Sequence, residues 1–419
     1  MMMNKSEHSY FIKYDELTSE AYIDQLGKDL VKLAITPGPT RCVARIADND
    51  PRIDRTERFP MTLVVQEILE RLSHDNKIDL VLTEFNGNLL IVGGLGINPT
   101  DQAIKDLPVT LAPHLDEITY MVKNEWDKET GLRKILPLCN APLPDKIKPE
   151  NTKLKILGFR GENHRKLVEV GLGSMEAKDL GPEIKEARKR YLYRLKTEAK
   201  DLLMGDLVIQ DYCHEKPDAR YDLESIINMK ALDDRAGSIA QIYAVAELAK
   251  RGLPAKAILA GDEEGFNKDI SWARLVRPAF REYSRPDGLI IVCDGFDGNR
   301  LQAEFKCGEY LSKALVTAYV SDASGAGDPG IFSLFRDKVV DIASRCGFEA
   351  ATTTCYASRS IDPKIMDDFP LIGFINWSNG SVGGKDAFCH RDESVKLRQI
   401  VNIIGTTCLA VNYFSEIFR

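Results

Sequence analysis

The sequence predicts an α/β protein: a mixed central sheet with helices on both faces, carrying an inserted second domain. Three observations lead there. From residue 230 onward, apolar runs of strand length alternate regularly with helical stripes. A looser version of the same alternation runs up to residue 121. Between them, residues 122–229 are denser in charge and less regular. A chain of 419 residues also exceeds what one hydrophobic core usually serves. The expected division is therefore 1–121 plus 230–419 as one layered unit, with 122–229 inserted into it.

The elements follow in order. Leu17, Tyr22, Leu26, Leu30 and Leu33 give residues 15–34 a helical stripe. Thr36-Pro-Gly-Pro-Thr-Arg41 is a loop, and Thr62–Leu72 a second helix. Ile78–Thr83 and Leu89–Val92 flank Asn86-Gly87-Asn88, a hairpin signal. Val92-Gly-Gly-Leu-Gly96 has neither dinucleotide-fold spacing nor the Lys of a phosphate loop, and reads as a turn. Leu107–Ala112 is a strand ending at Pro113-His114-Leu115-Asp116. In the inserted region, Ile184, Ala187, Tyr191, Leu195 and Leu202 predict a long charged helix over Glu183–Met204, and Gly205–Gln210 a strand. Beyond it, helices are expected at Asp234–Lys250, Asp269–Phe280, Ile331–Cys346 and Asp392–Phe418. Strands are expected at Ala257–Ala260, Gly288–Cys293, Leu315–Val320, Phe348–Thr354 and Phe369–Trp377. Such alternation means a sheet covered on both faces.

Charge and cysteine usage narrow the function classes. The net charge of −7 argues against a nucleic-acid partner and favours divalent cations. The six basic residues of Lys185–Lys196, with Tyr191 and Tyr193 among them, read as a solvated helix face. Nine cysteines, an odd number without a CxxC pair, fit free thiols in a reducing compartment, so a cytoplasmic protein is expected. Residues 1–14 lack the apolar core of a secretory leader, and no uninterrupted apolar run reaches membrane-spanning length. Neither a membrane nor a nucleic acid is expected as a partner.

The informative feature is where carboxylates and histidines fall. His114 and Asp116 follow a strand, and in extended chain residues two apart share a side. Asp233-Asp234 opens a helix, and Glu263-Glu264 and Asp294 follow apolar strands. His390 precedes the last helix. Ligands bind an open α/β sheet at the carboxyl ends of its strands, so these separate stretches would converge there. Two histidines with several carboxylates are donors that zinc accepts. Clustered carboxylates without a cation repel one another. Two divalent ions with a bridging hydroxide would balance Asp233, Glu264 and Asp294, leaving Glu263 free to move protons. Singly, each motif has a plainer reading: H-x-D as a surface accident, Asp233 as a helix cap, Asp294 as a turn residue. The joint pattern, in this order at these element ends, is what points to a metal site. A nucleophilic pair of Cys389 and His390 would leave the carboxylates unexplained.

At these residues the chain resembles the tetrahedral, glutamyl-type aminopeptidases. Leu111-Ala-Pro-His-Leu-Asp-Glu-Ile118 resembles their A-H-x-D-E-I-G element, and Lys230-Ala-Leu-Asp-Asp-Arg-Ala-Gly237 their K-A-L-D-D-R-x-G. Asp262-Glu-Glu-Gly265 resembles Q-E-E-V-G, Ile291-Val-Cys-Asp294 the strand-terminal aspartate, and His390-Arg-Asp-Glu393 the H-S-x-x-E opening the last helix. Asn86-Gly-Asn88 resembles their G-N-L element. The resemblance implies that Asp233 bridges two metals, His114 and Asp294 completing one shell and Glu264 and His390 the other. It implies that Glu263 is the general base, passing a proton from the metal-held water to the leaving amine, and that Asp116 orients His114. Two divalent ions per subunit follow, zinc first, with cobalt or manganese as alternatives. A short peptide substrate and a homo-oligomer, dimer-based and up to a dodecamer, follow as well. The unit 1–121 plus 230–419 would be catalytic, and 122–229 would serve assembly or substrate access. Departures fall where substrate would sit. Asp262 replaces Gln, Ser321–Gly330 only loosely echoes G-T-D-A, and Asn376–Asp386 reads as an insertion. The inserted region is expected to carry its charged helix in place of the family's small β-barrel. A deacylase or other amidohydrolase on this scaffold, and a non-catalytic assembly or binding protein, are the alternative readings.

Overall fold

The computed structural model describes residues 11–39, 59–138, 153–161, 166–181, 191–211, 216, 218–262, 277–294, 312–319, 329–353, 374–378 and 393–417. A 3-10 turn, Tyr14–Leu17, precedes helices α1 (Glu20–Ile35) and α2 (Pro60–Asn76). Strands β1 (Leu80–Phe85) and β2 (Asn88–Gly93), helix α3 (Asp101–Lys105) and strand β3 (Val109–Ala112) follow. Six strands come next: β4 (Thr119–Trp126), β5 (Arg133–Pro137), β6 (Lys153–Arg160), β7 (Lys166–Asp179), β8 (Tyr191–Thr197) and β9 (Leu207–Gln210). The chain then runs through β10 (Ile226–Met229), α4 (Leu232–Lys250), β11 (Ala255–Leu259), α5 (Arg277–Tyr283), β12 (Leu289–Asp294) and β13 (Ala314–Tyr319). It ends with α6 (Pro329–Arg345), β14 (Ala350–Thr352), β15 (Phe374–Ser378), β16 (Glu393–Lys396) and α7 (Leu397–Ile417).

Local chemistry accounts for the entry elements. The Ser19 side chain caps α1 by accepting the Tyr22 amide, and Ile23, Leu26, Leu30 and Leu33 form its buried stripe. Pro60 opens α2, where a missing N–H costs nothing. Asn86 and Gly87 both have positive φ, at 47° and 79°. That is the two-residue turn expected for Asn-Gly, and it pairs Phe85 with Asn88.

The central sheet has eight strands in the order β1-β2-β11-β3-β12-β15-β13-β14. Its middle four, β11, β3, β12 and β15, run parallel. Strand residues alternate between two cores. Leu89, Ile91, Ala257, Leu259, Leu289, Ile291 and Cys293 face the larger core with α1, α2, α4, α6 and α7. Leu90, Val92, Ile258, Ala260, Ile290 and Val292 face a smaller one with α3 and α5. Both faces are covered, which is why these strands read as continuous apolar runs. The expected mixed sheet with helices on both faces is thus observed. Helix α7 is long and apolar enough to cross a membrane, but 78% of that apolar window is buried inside the protein, so it is a core helix.

The inserted region differs from the expectation. Strands β4-β5-β8-β7-β6-β9 close into a barrel, and Tyr191–Thr197 is a strand of it, not the middle of a charged helix. The helical spacing of Tyr191, Leu195 and Leu202 concealed a period of two: Tyr191, Tyr193 and Leu195 point into the barrel core with Tyr120 and Ile156. Residues 183–190 lie outside the described residues. Arg160, at the end of β6, makes a bidentate pair with Asp206, just before the neighbouring β9, 2.7 Å for each bond. The last helix is also shorter than expected. Glu393–Lys396 is a strand that pairs antiparallel with β10, and the helix starts only at Leu397.

Candidate metal centre

The parallel strands place their carboxyl ends on one edge, and there β3 runs out into His114 and Asp116. His114 bridges Ala260 just past β11, with Leu115 donating to the Ala260 carbonyl at 2.8 Å and Ala260 to the Pro113 carbonyl at 2.9 Å. On the other side, Val292 of β12 is in register with Ala112. Two residues further on, that register sets Asp294 level with His114. Asp233 is the second residue of α4. Met229, four residues before it, pairs with Glu393, three residues after His390. The structure therefore brings His114, Asp116 and the backbones of Asp233 and Asp294 to one edge. Glu263, Glu264 and His390, with its neighbour Cys389, lie outside the described residues. Among the described residues no three His, Cys, Asp or Glu side chains gather at metal-holding distance.

The described half of the site is held from α4. The first two turns of that helix satisfy the backbone of the His114 segment. The Ser238 hydroxyl donates to the His114 carbonyl at 2.7 Å, Arg235 Nε to the Leu115 carbonyl at 3.1 Å, and the His114 amide to Asp234 Oδ2 at 3.4 Å. Asp234 also accepts the Gly237 amide at 3.1 Å, so the second aspartate of the pair serves the scaffold. Behind β11, Asn88 at the hairpin tip accepts the Gly261 amide at 3.3 Å, two residues before Glu263.

Asp116 and Glu117 point to opposite sides of extended chain, and each side is used. His114 is 3% and Asp116 0% exposed, and His114 Nδ1 faces Asp116 Oδ1 at 3.5 Å. Metal-binding histidines commonly carry a carboxylate beside one ring nitrogen, which leaves the other to ligate, and Asp116 stands in that place. This donor chemistry fits a divalent cation. Glu117 faces the other way, into a buried ionic cluster. Its Oε2 accepts Lys230 Nζ at 2.7 Å. Its Oε1 accepts Arg235 Nη2 at 2.9 Å and the Gly38 amide at 2.9 Å. Burial raises the Glu117 pKa, but Lys230, Arg235 and the Gly38 amide outweigh it and hold the carboxyl below its ordinary value. Arg235, wholly buried, also donates Nη1 to the Ala34 and Thr36 carbonyls at 2.8 and 2.9 Å. Those carbonyls end α1, where a cation is favoured.

Glu117, Lys230, Arg235 and Ser238 were given no role by the sequence, although the first three sit inside the two motifs it singled out and Ser238 directly follows the second. The signal available was electrostatic: a carboxylate flanking H-x-D at a buried strand end needs cationic partners.

Comparisons with known proteins agree with this architecture. No family model and no curated protein matches the sequence. Solved structures do match. An aminopeptidase from the archaeon Desulfurococcus kamchatkensis is 15% identical, covers 95% of each chain and superposes with a TM-score of 0.58. A tetrahedral aminopeptidase from a marine-sediment archaeon of the Thaumarchaeota is 13% identical over 93% of this chain and 100% of its own, at 0.60. A peptidase of Pyrococcus horikoshii that can assemble into a tetrahedron or a large octahedral shell is 13% identical over 92% and 98%, at 0.54. From end to end, then, this chain has the fold of the tetrahedral aminopeptidases.

Proposed function

We propose that the protein is a metal-dependent aminopeptidase of the two-metal type, acting on short peptides. The observation that carries this reading is the buried His114–Asp116 pair at the carboxyl end of β3, with the backbones of Asp233 and Asp294 at the same sheet edge. His114, Asp233, Glu264, Asp294 and His390 would hold the ions, zinc first, with cobalt or manganese as alternatives. When bound, the ions would polarise the scissile carbonyl and acidify water. Asp116, 3.5 Å from His114 Nδ1, would orient His114 and favour the ligating tautomer once the two close to hydrogen-bonding distance around a bound ion. Glu263 takes a proton from the attacking water and gives it to the leaving amine. A free substrate amino terminus is a cation, and carboxylates beyond those that balance the ions supply its counter-charge. That excess favours exopeptidase over endopeptidase cleavage.

Residues 122–229 are read as an inserted domain built on the barrel, and the protein as a cytoplasmic homo-oligomer. The shell-forming relative with the same fold supports the assembly reading. The test is hydrolysis of a panel of aminoacyl-p-nitroanilides after chelation, with zinc, cobalt or manganese restored. Metal-dependent release is expected, and the preferred side chain describes the pocket. Two bound metals with no cleavage of any substrate would transfer the assignment to a deacylase or a non-catalytic role.

A further inference from the structure

We propose that Glu117, Lys230 and Arg235 are positioning residues: an ionic clamp that sets the start of α4, with Asp233, against the His114 strand end. The inference rests on the two-metal reading above and names what holds its ligands in register. Glu117 is one residue beyond Asp116, three beyond His114, and turned to the opposite side. Lys230 and Arg235 flank Asp233 by three residues and two. Glu117 contacts both cations, at 2.7 and 2.9 Å, so the two ligand-bearing stretches are tied through one carboxylate. The cluster is anchored further by Gly38 and by the end of α1. It cannot slide without breaking several charge-assisted bonds at once.

A second observation shows where the clamp acts. Ala231, between Lys230 and Leu232, lies in the left-handed region at φ 55° and ψ 27°. Alanine adopts that conformation only when surrounding structure compels it. The chain leaves β10, turns at Ala231 and enters α4 one residue before Asp233. Lys230, fixed on Glu117, is the residue immediately before the turn. The strained turn decides how the first turn of α4 is aimed, and the ion pair keeps it closed.

The experiment is a cobalt(II) titration of the full-length, metal-stripped protein, followed by calorimetry and by the visible absorption of the bound ion, alongside a thermal melt. Wild type should bind cobalt. Lys230→Met and Glu117→Gln should weaken binding by about 10- to 100-fold while still folded at the assay temperature, as loss of residues that orient ligands does. Lys230→Arg, which keeps the cation, should recover most of the affinity. Ala231→Gly, free in the left-handed region, should bind within about twofold of wild type, and Ala231→Val should bind more weakly than Ala231→Gly. If Lys230→Met or Glu117→Gln does not fold, the Lys230→Arg and Ala231 variants carry the test. Unchanged affinity and spectrum in folded variants with lowered melting temperatures would make the cluster merely structural and overturn the inference. Absence of cobalt binding in wild type would overturn the two-metal reading itself, and the inference with it.

Discussion

Gly38→Ala tests the site's architecture without removing a single charge or ligand. A Cβ on Gly38 would stand 2.5 Å from Arg235 Nη2, 2.8 Å from Met61 Cε and 3.2 Å from the Leu115 carbonyl oxygen. The Met61 methyl ends a flexible side chain and can yield. The guanidinium cannot, since its Nε, Nη1 and Nη2 are all engaged. To regain ordinary contact it must retreat by about 0.9 Å, enough to lose the Glu117 bond or the Leu115 bond. A hydrogen bond to a charged group contributes about 1.5–3 kcal/mol, and overpacking costs about 1–3 kcal/mol more. Against this, Ala in place of Gly restricts the unfolded chain, a gain of about 0.4–1 kcal/mol. The losses win, by about 2–5 kcal/mol. Unfolding a chain of this length carries an entropy of roughly 0.9 kcal/mol/K, so the melting temperature should fall by about 2–6 °C. Scanning calorimetry of the metal-stripped protein measures it. A Gly38→Ala protein melting at or above wild type would refute the packing of Arg235 against Gly38.

Three further outcomes are expected. Glu263→Gln should keep metal content by elemental analysis and lose about 100- to 10,000-fold in kcat, whereas Asp233→Asn should lose metal; near-normal turnover in Glu263→Gln would displace it as the base. The Glu117 carboxyl titrates below its ordinary value when folded, so the folded state binds fewer protons at acid pH. Its contribution is therefore full above the ordinary carboxylate range and is lost as pH falls through the folded value. The gap in melting temperature between wild type and Glu117→Gln should shrink toward acid pH, and a gap that widened would reverse the sign of the argument. Gly405 of α7 leaves no room for a methyl, since a Cβ would meet the Phe348 ring at 2.0 Å. Gly405→Ala should therefore destabilise the protein, outweighing the ~1 kcal/mol of helix propensity gained, and urea denaturation would detect a stabilised variant if this is wrong.

Period and punctuation made most of the central sheet legible in advance. The apolar runs at Ala257–Ala260 and Gly288–Cys293 were read as strands because both of their faces are buried, and the Asn-Gly turn marked its hairpin. The barrel was missed because Tyr191, Leu195 and Leu202 satisfy a helical period as well as Tyr191, Tyr193 and Leu195 satisfy a strand period. Long-range pairing decides between them: β8 is held between β5 and β7, partners that local spacing does not announce. The same applies to Glu393–Lys396, whose strand state comes from β10, more than 160 residues earlier in the chain. At the candidate site, the proposed ligands could be singled out in the sequence because zinc chemistry restricts residue types. Their supports were not, because Arg235 and Lys230 are ordinary cations until burial makes their partners obligatory.

That asymmetry bears on how the chain was tuned. The start of α4 carries Asp233, the proposed metal ligand, and close on either side of it Lys230, Arg235 and Ser238, which serve the scaffold. A buried ion pair is a poor source of net stability compared with apolar packing of the same volume. The strained Ala231 turn opposes folding as well. A segment selected for stability alone would bury neither Lys230 nor Arg235 and would place glycine at residue 231. What the charged cluster provides is direction. It joins two stretches over 110 residues apart in sequence through bonds of fixed length and angle, which hydrophobic contact cannot do. The stability given up at this helix start is consistent with a site whose ligands must be aimed before any ion arrives.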